Sequence, residues 1–195
     1  MVWLSPAGGG VVEPLGAFVI GLVSAAALLL AAAGLAKLRQ RLPLRSAFAA
    51  AAVPGLRRLP VALATRLAGL IELAIAVLVL GFGGRLGALL IALGYAALAG
   101  LAARMVAIEA GQDCGCFSRP SPVSHWHTGV NLAGLLVGLA GLLLPSGSLL
   151  AEIGRHPLTG LPVAVGATLL AYLGYLTMTA LPALRSAAAE LETVR

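Results

Sequence analysis

Long apolar runs separated by short polar links dominate this chain. Five runs approach or reach the roughly 20 residues that a helix needs to cross a bilayer. They extend from Leu15 to Ala36, Leu63 to Leu80, Leu86 to Val106, Thr128 to Leu144 and Leu161 to Leu181. A segment in lipid must satisfy its backbone internally, so each run is expected to be helical. The second and fourth are short and would draw on their flanks. The fold class expected is all-α: a polytopic membrane helix bundle.

The links differ in character. "RLPLRSAFAAAAVPGLRRLP" places basic residues around a small apolar centre and is broken by Pro43, Pro54 and Pro60. A short helix in the headgroup region fits Leu44 to Val53, and a plain basic loop fits nearly as well. "GFGGR" predicts a tight turn. "PSGSLLAEIGRHPLTG" is rich in Pro and Gly and reads as a linker. "LRSAAAELETVR" reads as a short polar helix or a frayed end. Gly134 and Gly138 make a G-x-x-x-G spacing, with Gly141 one turn on, which would let backbones approach closely.

Composition agrees with the bilayer as solvent. The chain has 195 residues, 60% apolar and only 10% charged, whereas soluble domains carry about a quarter charged residues. A net charge of +6 does not point to nucleic acid, because aromatic stacking groups are sparse and no soluble basic face is visible. Residues 1–13 contain no Lys or Arg, so the first run is expected to be a retained helix and not a signal peptide. With the N-terminus placed outside, eleven Lys and Arg residues fall on the inner side. Only Arg85 and Arg155 fall on the outer side. The positive-inside rule then predicts a multi-pass protein of the cell membrane with its third link in the cytoplasm.

That third link holds most of the reactive side chains. "DCGCFSRPSPVSHWH", residues 113–127, contains both cysteines of the chain and two of its three histidines. Cys114 and Cys116 are separated only by Gly115, whose backbone freedom suits a disulfide between residues two apart. So small a ring would be strained and easily reduced, which favours thiol–disulfide exchange over stapling. Arg104, Arg119, His125 and His127 would favour thiolates, while Asp113 opposes them. An alternative is a copper or zinc site built from Cys114, Cys116, His125 and His127, although C-x-C-x8-H-x-H is not a standard zinc-finger spacing. Trp126 also fits an aromatic anchor at the membrane edge.

Glu72 is the one acid inside an apolar run, "LAGLIELAIAVLVLG". A carboxylate there costs about 2.5–3.5 kcal/mol on insertion scales, so it needs a partner, a proton or an interior position. Arg66, Arg104, His127 and Asn131 are candidate partners. Asn131 is itself expected to bond across helices. Glu72 and Asn131 are candidates to hold the bundle, relay a proton or contact a quinone.

The order of these features resembles the MauE family of membrane proteins, related to the DoxX group. "AAAGLAKLR" ends the first helix. "LAGLIELAIAVLVLGFGGRLGALLIALGYAALA" carries the acid and the glycine turn, and "DCGCF" precedes "SHWHTGVNLAGLL". The likeness covers about residues 15–145. It implies a four-helix core, with the run from Leu161 to Leu181 as a fifth, C-terminal transmembrane helix outside the match. It also implies thiol–disulfide work alongside a thioredoxin-like partner, linked to methylamine utilisation and maturation of an amine dehydrogenase. The family's C-x-C falls on Cys114 and Cys116, its helix-two acid on Glu72, its post-helix Lys on Lys37 and its helix-four Asn on Asn131. Val130 stands where the family often has Arg.

The expected organisation is an N-terminal tail over 1–14 and a membrane domain over 15–145, with its cysteine loop at 107–127. A linker and fifth helix follow over 146–182, then a polar tail over 183–195. The expected partners are the lipid bilayer and a thioredoxin-like protein, with no nucleic acid. A membrane metal-binding protein and a non-catalytic scaffold are the competing readings.

Overall fold

The computed structural model of the protein describes residues 12–39, 60–107, 125–144 and 147–193. These residues contain helices and no strand. The helices are α1 (Val12–Arg39), α2 (Val61–Gly81), α3 (Gly84–Ala107), α4 (His125–Leu143), α5 (Leu149–Arg155) and α6 (Pro157–Thr193). Among the described residues, five of them are long and apolar enough to cross a membrane, over Leu15–Arg39, Ala62–Gly81, Gly84–Ala107, His125–Leu143 and Pro157–Leu181. The protein is therefore an all-α, multi-pass membrane bundle, as the apolar runs predict. The proposed headgroup helix at Leu44 to Val53 lies outside the described residues.

The helices begin and end where local chemistry dictates. Pro60 precedes α2, a place where its missing N–H costs nothing. The "GFGGR" turn is built on Gly83 and Gly84, whose φ angles are 58° and 68°. Only glycine adopts that region without strain. Gly83 has a second constraint: a Cβ there would lie 2.6 Å from Ser148 Cα. The linker between the fourth and fifth spans differs from expectation. Ser148 accepts a hydrogen bond from the Ala151 N–H at 3.1 Å and so caps α5, a helix of seven residues. The last helix also exceeds its apolar run, starting at Pro157 and continuing to Thr193.

α1 is the central helix. Its Val19, Val23, Ala26, Ala27 and Leu30 pack with Ala76 and Val79 of α2 and with Ile91 and Tyr95 of α3. The Tyr95 hydroxyl donates to the Ala26 carbonyl at 2.8 Å, giving this buried ring's polar end a partner. Successive neighbours run antiparallel. Val79 of α2 meets Gly87 of α3, and Ile75 meets Gly94. Along α3 and α4, Tyr95 meets Gly134, Ala92 meets Gly138 and Ala88 meets Gly141. A Cβ on Gly138 would lie 2.8 Å from Ala92 Cα, so the small-residue stripe of α4 is what allows that crossing. α6 lies on the outside of α1 and runs parallel to it, since Gly21 meets Val163, Leu29 meets Gly174, and Leu29 and Ala33 cluster with Met178.

This topology gathers the end of α1, the start of α2, the end of α3, the start of α4 and the end of α6 at one end of the bundle. The 17 residues between Ala107 and His125 join α3 to α4 at that end.

Candidate functional site

α1 and α2 cross through two glycines. A Cβ on Gly34 would lie 2.7 Å from the Gly69 carbonyl oxygen and 3.2 Å from the Leu73 nitrogen. A Cβ on Gly69 would lie 2.9 Å from the Gly34 oxygen. No side chain larger than hydrogen fits this backbone contact without a shift. Lys37 follows Gly34 by three residues and Glu72 follows Gly69 by three, so each charged residue stands one turn beyond a glycine on its own helix. Because the helices are antiparallel, Gly34 faces the Cβ of Glu72 and Gly69 faces the Cβ of Lys37. The two charged side chains meet across the crossing.

Lys37 Nζ donates to Glu72 Oε1 at 2.5 Å and to Oε2 at 2.6 Å. The side chains are only 7% and 9% exposed. Such a pair removes two charges from solvent and holds together through its geometry, because either charge alone would be strongly disfavoured in the bundle. Glu72 therefore has its partner in Lys37, and not in Arg66, Arg104, His127 or Asn131. Arg66 and Arg104 are exposed, while His127 and Asn131 are buried on α4.

Asn131 shares the wall of a small cavity with Lys37, the Tyr95 ring, Leu30, Ala33 and Met178. His127, fully buried, lies four residues before Asn131 on the same face of α4. Three of the residues singled out in the sequence, Lys37, Glu72 and Asn131, thus converge inside the bundle. They do so in the half nearer the α3–α4 link.

Cys114 and Cys116 lie outside the described residues. Of the other two residues in the metal-site alternative, His125 is exposed and His127 is buried. A two-residue step on a helix turns the side chain by about 200°, so these two histidines face opposite ways. That arrangement disfavours one ion shared by both. Trp126 is 41% exposed at the start of α4, as an aromatic anchor at the membrane edge would be.

The family likeness singles out Lys37 without pairing it with Glu72. The signal was present in the repeated spacing, Gly34-x-x-Lys37 and Gly69-x-x-Glu72.

No curated protein and no solved structure matches the chain. The profile described as methylamine utilisation protein MauE matches residues 15–144, two thirds of the sequence, from the start of the first span to the end of the fourth. With that match added to the four-span core and its acid on the second helix, the chain belongs to the MauE family of membrane proteins.

Proposed function

We propose that the protein is a membrane thiol–disulfide redox component. In this reading Cys114 and Cys116 exchange electrons with a soluble thioredoxin-like partner, in support of amine dehydrogenase maturation. The observation that carries it is the C-x-C pair itself. The chain has two cysteines, one residue apart, in the polar link between two apolar helices. Membership of a methylamine utilisation family supports the reading, as does the close antiparallel packing of α3 on α4, which would tether both ends of the link.

The exchange balances without a further reactant. A partner thiolate attacks one sulfur of the Cys114–Cys116 disulfide, and the S–S bond breaks as a mixed disulfide forms. The second partner thiol then displaces the bound cysteine. The partner ends as a disulfide, and Cys114 and Cys116 end as two thiols carrying the two electrons and two protons. The reverse sequence oxidises the pair. In this reading the link lies on the cytoplasmic side, a placement the positive-inside count favours, and a dithiol there would deliver reducing equivalents.

Alkylation of membranes before and after reduction, read by mass spectrometry of the peptide containing both cysteines, tests the proposal. A population that shifts between two alkyl groups and none, and back on oxidation, supports it. A pair locked in one state under both treatments overturns it.

A further inference from the structure

α5 lies across the end of the bundle opposite the α3–α4 link. Its cap, Ser148, abuts the α2–α3 turn at Gly83. Its Ile153 abuts the first turn of α6, where a Cβ on Gly160 would lie 2.6 Å from Ile153 Cα. Leu149 is buried, but the large apolar side chains around it are not. Leu150 is 60% exposed, Phe82 in the adjoining turn 81% and Leu158 at the start of α6 91%. Arg85 and Arg155 are exposed in the same region. Phe82 and Gly83 are the whole link between α2 and α3, so no polar loop shields this side of the patch.

The depth of α5 follows from α1. Gly147, immediately before the cap, meets Ile20, five residues inside the α1 span that starts at Leu15. At 1.5 Å per residue, α1 continues for about 7–8 Å along its axis past that level. It does so with Leu15 and Phe18 exposed. The apolar surface of the spans therefore runs on beyond α5 and does not stop beneath it.

We propose that α5 and its flanks form a phospholipid-binding surface, lying in the boundary between acyl chains and headgroups. Phe82, Leu150 and Leu158 enter the chains, and Arg85 and Arg155 meet lipid phosphates. The patch is continuous with the lipid-facing belt of the five spans, so bilayer lipid covers it. A short helix with apolar and basic side chains settles about 5–10 Å into that boundary. An arginine there keeps its methylenes among apolar groups while its guanidinium forks onto phosphate. The bundle is then left with one aqueous working end, the end that carries the α3–α4 link. The surface stands on the geometry of the bundle and is independent of the redox reading of the cysteines.

Nitroxide labels on single cysteines test this, in protein that also carries Cys114→Ser and Cys116→Ser. The labelled variants are Leu150→Cys and Leu158→Cys, both at exposed side chains, reconstituted into phosphatidylcholine–phosphatidylglycerol vesicles. Power-saturation EPR compares collisions with oxygen, which concentrates among acyl chains, and with a water-soluble nickel chelate. Oxygen is expected to outweigh the chelate several-fold at both positions. Dominant chelate collisions at either position overturn the proposal, because α5 would then stand in water. Low access to both reagents also overturns it, because a protein surface would then cover the patch. Unmodified protein gives a second readout, should a variant fail to fold. A phospholipid with a photoactivated carbene precursor at its headgroup is expected to label residues 149–158. Absence of adducts there, with the transmembrane peptides labelled, overturns the proposal.

Discussion

Lys37 and Glu72 lie 35 positions apart in sequence and form a two-pronged ion pair, at 2.5 and 2.6 Å, beside the Gly34–Gly69 backbone contact between α1 and α2. The glycines permit the approach, and the charges then fix which faces of the two helices meet. Leu or Ala at these positions would let α1 slide or rotate against α2, whereas a bidentate pair accepts one register.

Removing one partner leaves a charge without compensation. Lys37→Met is expected to destabilise the bundle by about 3–5 kcal/mol, and Glu72→Leu by a similar amount. The double variant, with two apolar side chains in contact, should recover most of that loss. Unfolding by denaturing detergent, followed by helix content, measures all three. If the double variant loses the sum of the two singles, the residues do not act as a pair.

The glycine contact predicts a change of sign along the chain. Gly34→Ala drives a methyl into the Gly69 carbonyl and should cost about 1–3 kcal/mol. Gly166→Ala on α6 meets no atom within 4 Å and should gain roughly 0.5–1 kcal/mol through reduced backbone freedom in the unfolded chain. The same detergent titration compares them. Equal effects from both substitutions would contradict the crossing.

Lys37 should be chemically silent in the folded protein. An amine-reactive reagent that crosses membranes is expected to leave it unmodified in native bilayers and to label it once the helices are separated. Peptide mass spectrometry reads the outcome. Ready labelling in the native state would mean that the ammonium spends much of its time in the headgroup region and away from Glu72.

The spans were legible in the sequence because lipid leaves a long apolar run little choice but a helix. Four of the five expected runs lie wholly within helices, and the fourth passes the end of its helix by the single residue Leu144. The tight turn was equally plain from Gly83 and Gly84. The linker helix at Leu149 was obscured by the Pro and Gly around it, although Ser148 three residues before Ala151 was its capping signal. Lys37 was counted among the basic residues that orient a membrane protein, and such a count treats every Lys as facing water. Its inward turn depends on Gly69, a residue on another helix, and local patterning does not carry that information. His125 and His127 are close in sequence, yet helical rotation leaves the first exposed and the second buried.

The side on which the C-x-C link lies has a direct measurement. A maleimide that does not cross membranes is expected to spare Cys114 and Cys116 in intact cells and to modify both after lysis and reduction. Modification in intact cells would place the link outside and reverse the direction in which reducing equivalents travel.

Because α6 runs parallel to α1, any domain spliced on after Thr193 emerges in the same compartment as the segment joining α3 to α4. A thioredoxin-fold protein fused there through a flexible tether would meet that segment at millimolar effective concentration. Even a weak or fleeting encounter would then become trappable as a covalent adduct, and the same fusion at the amino terminus, across the bilayer, supplies the control.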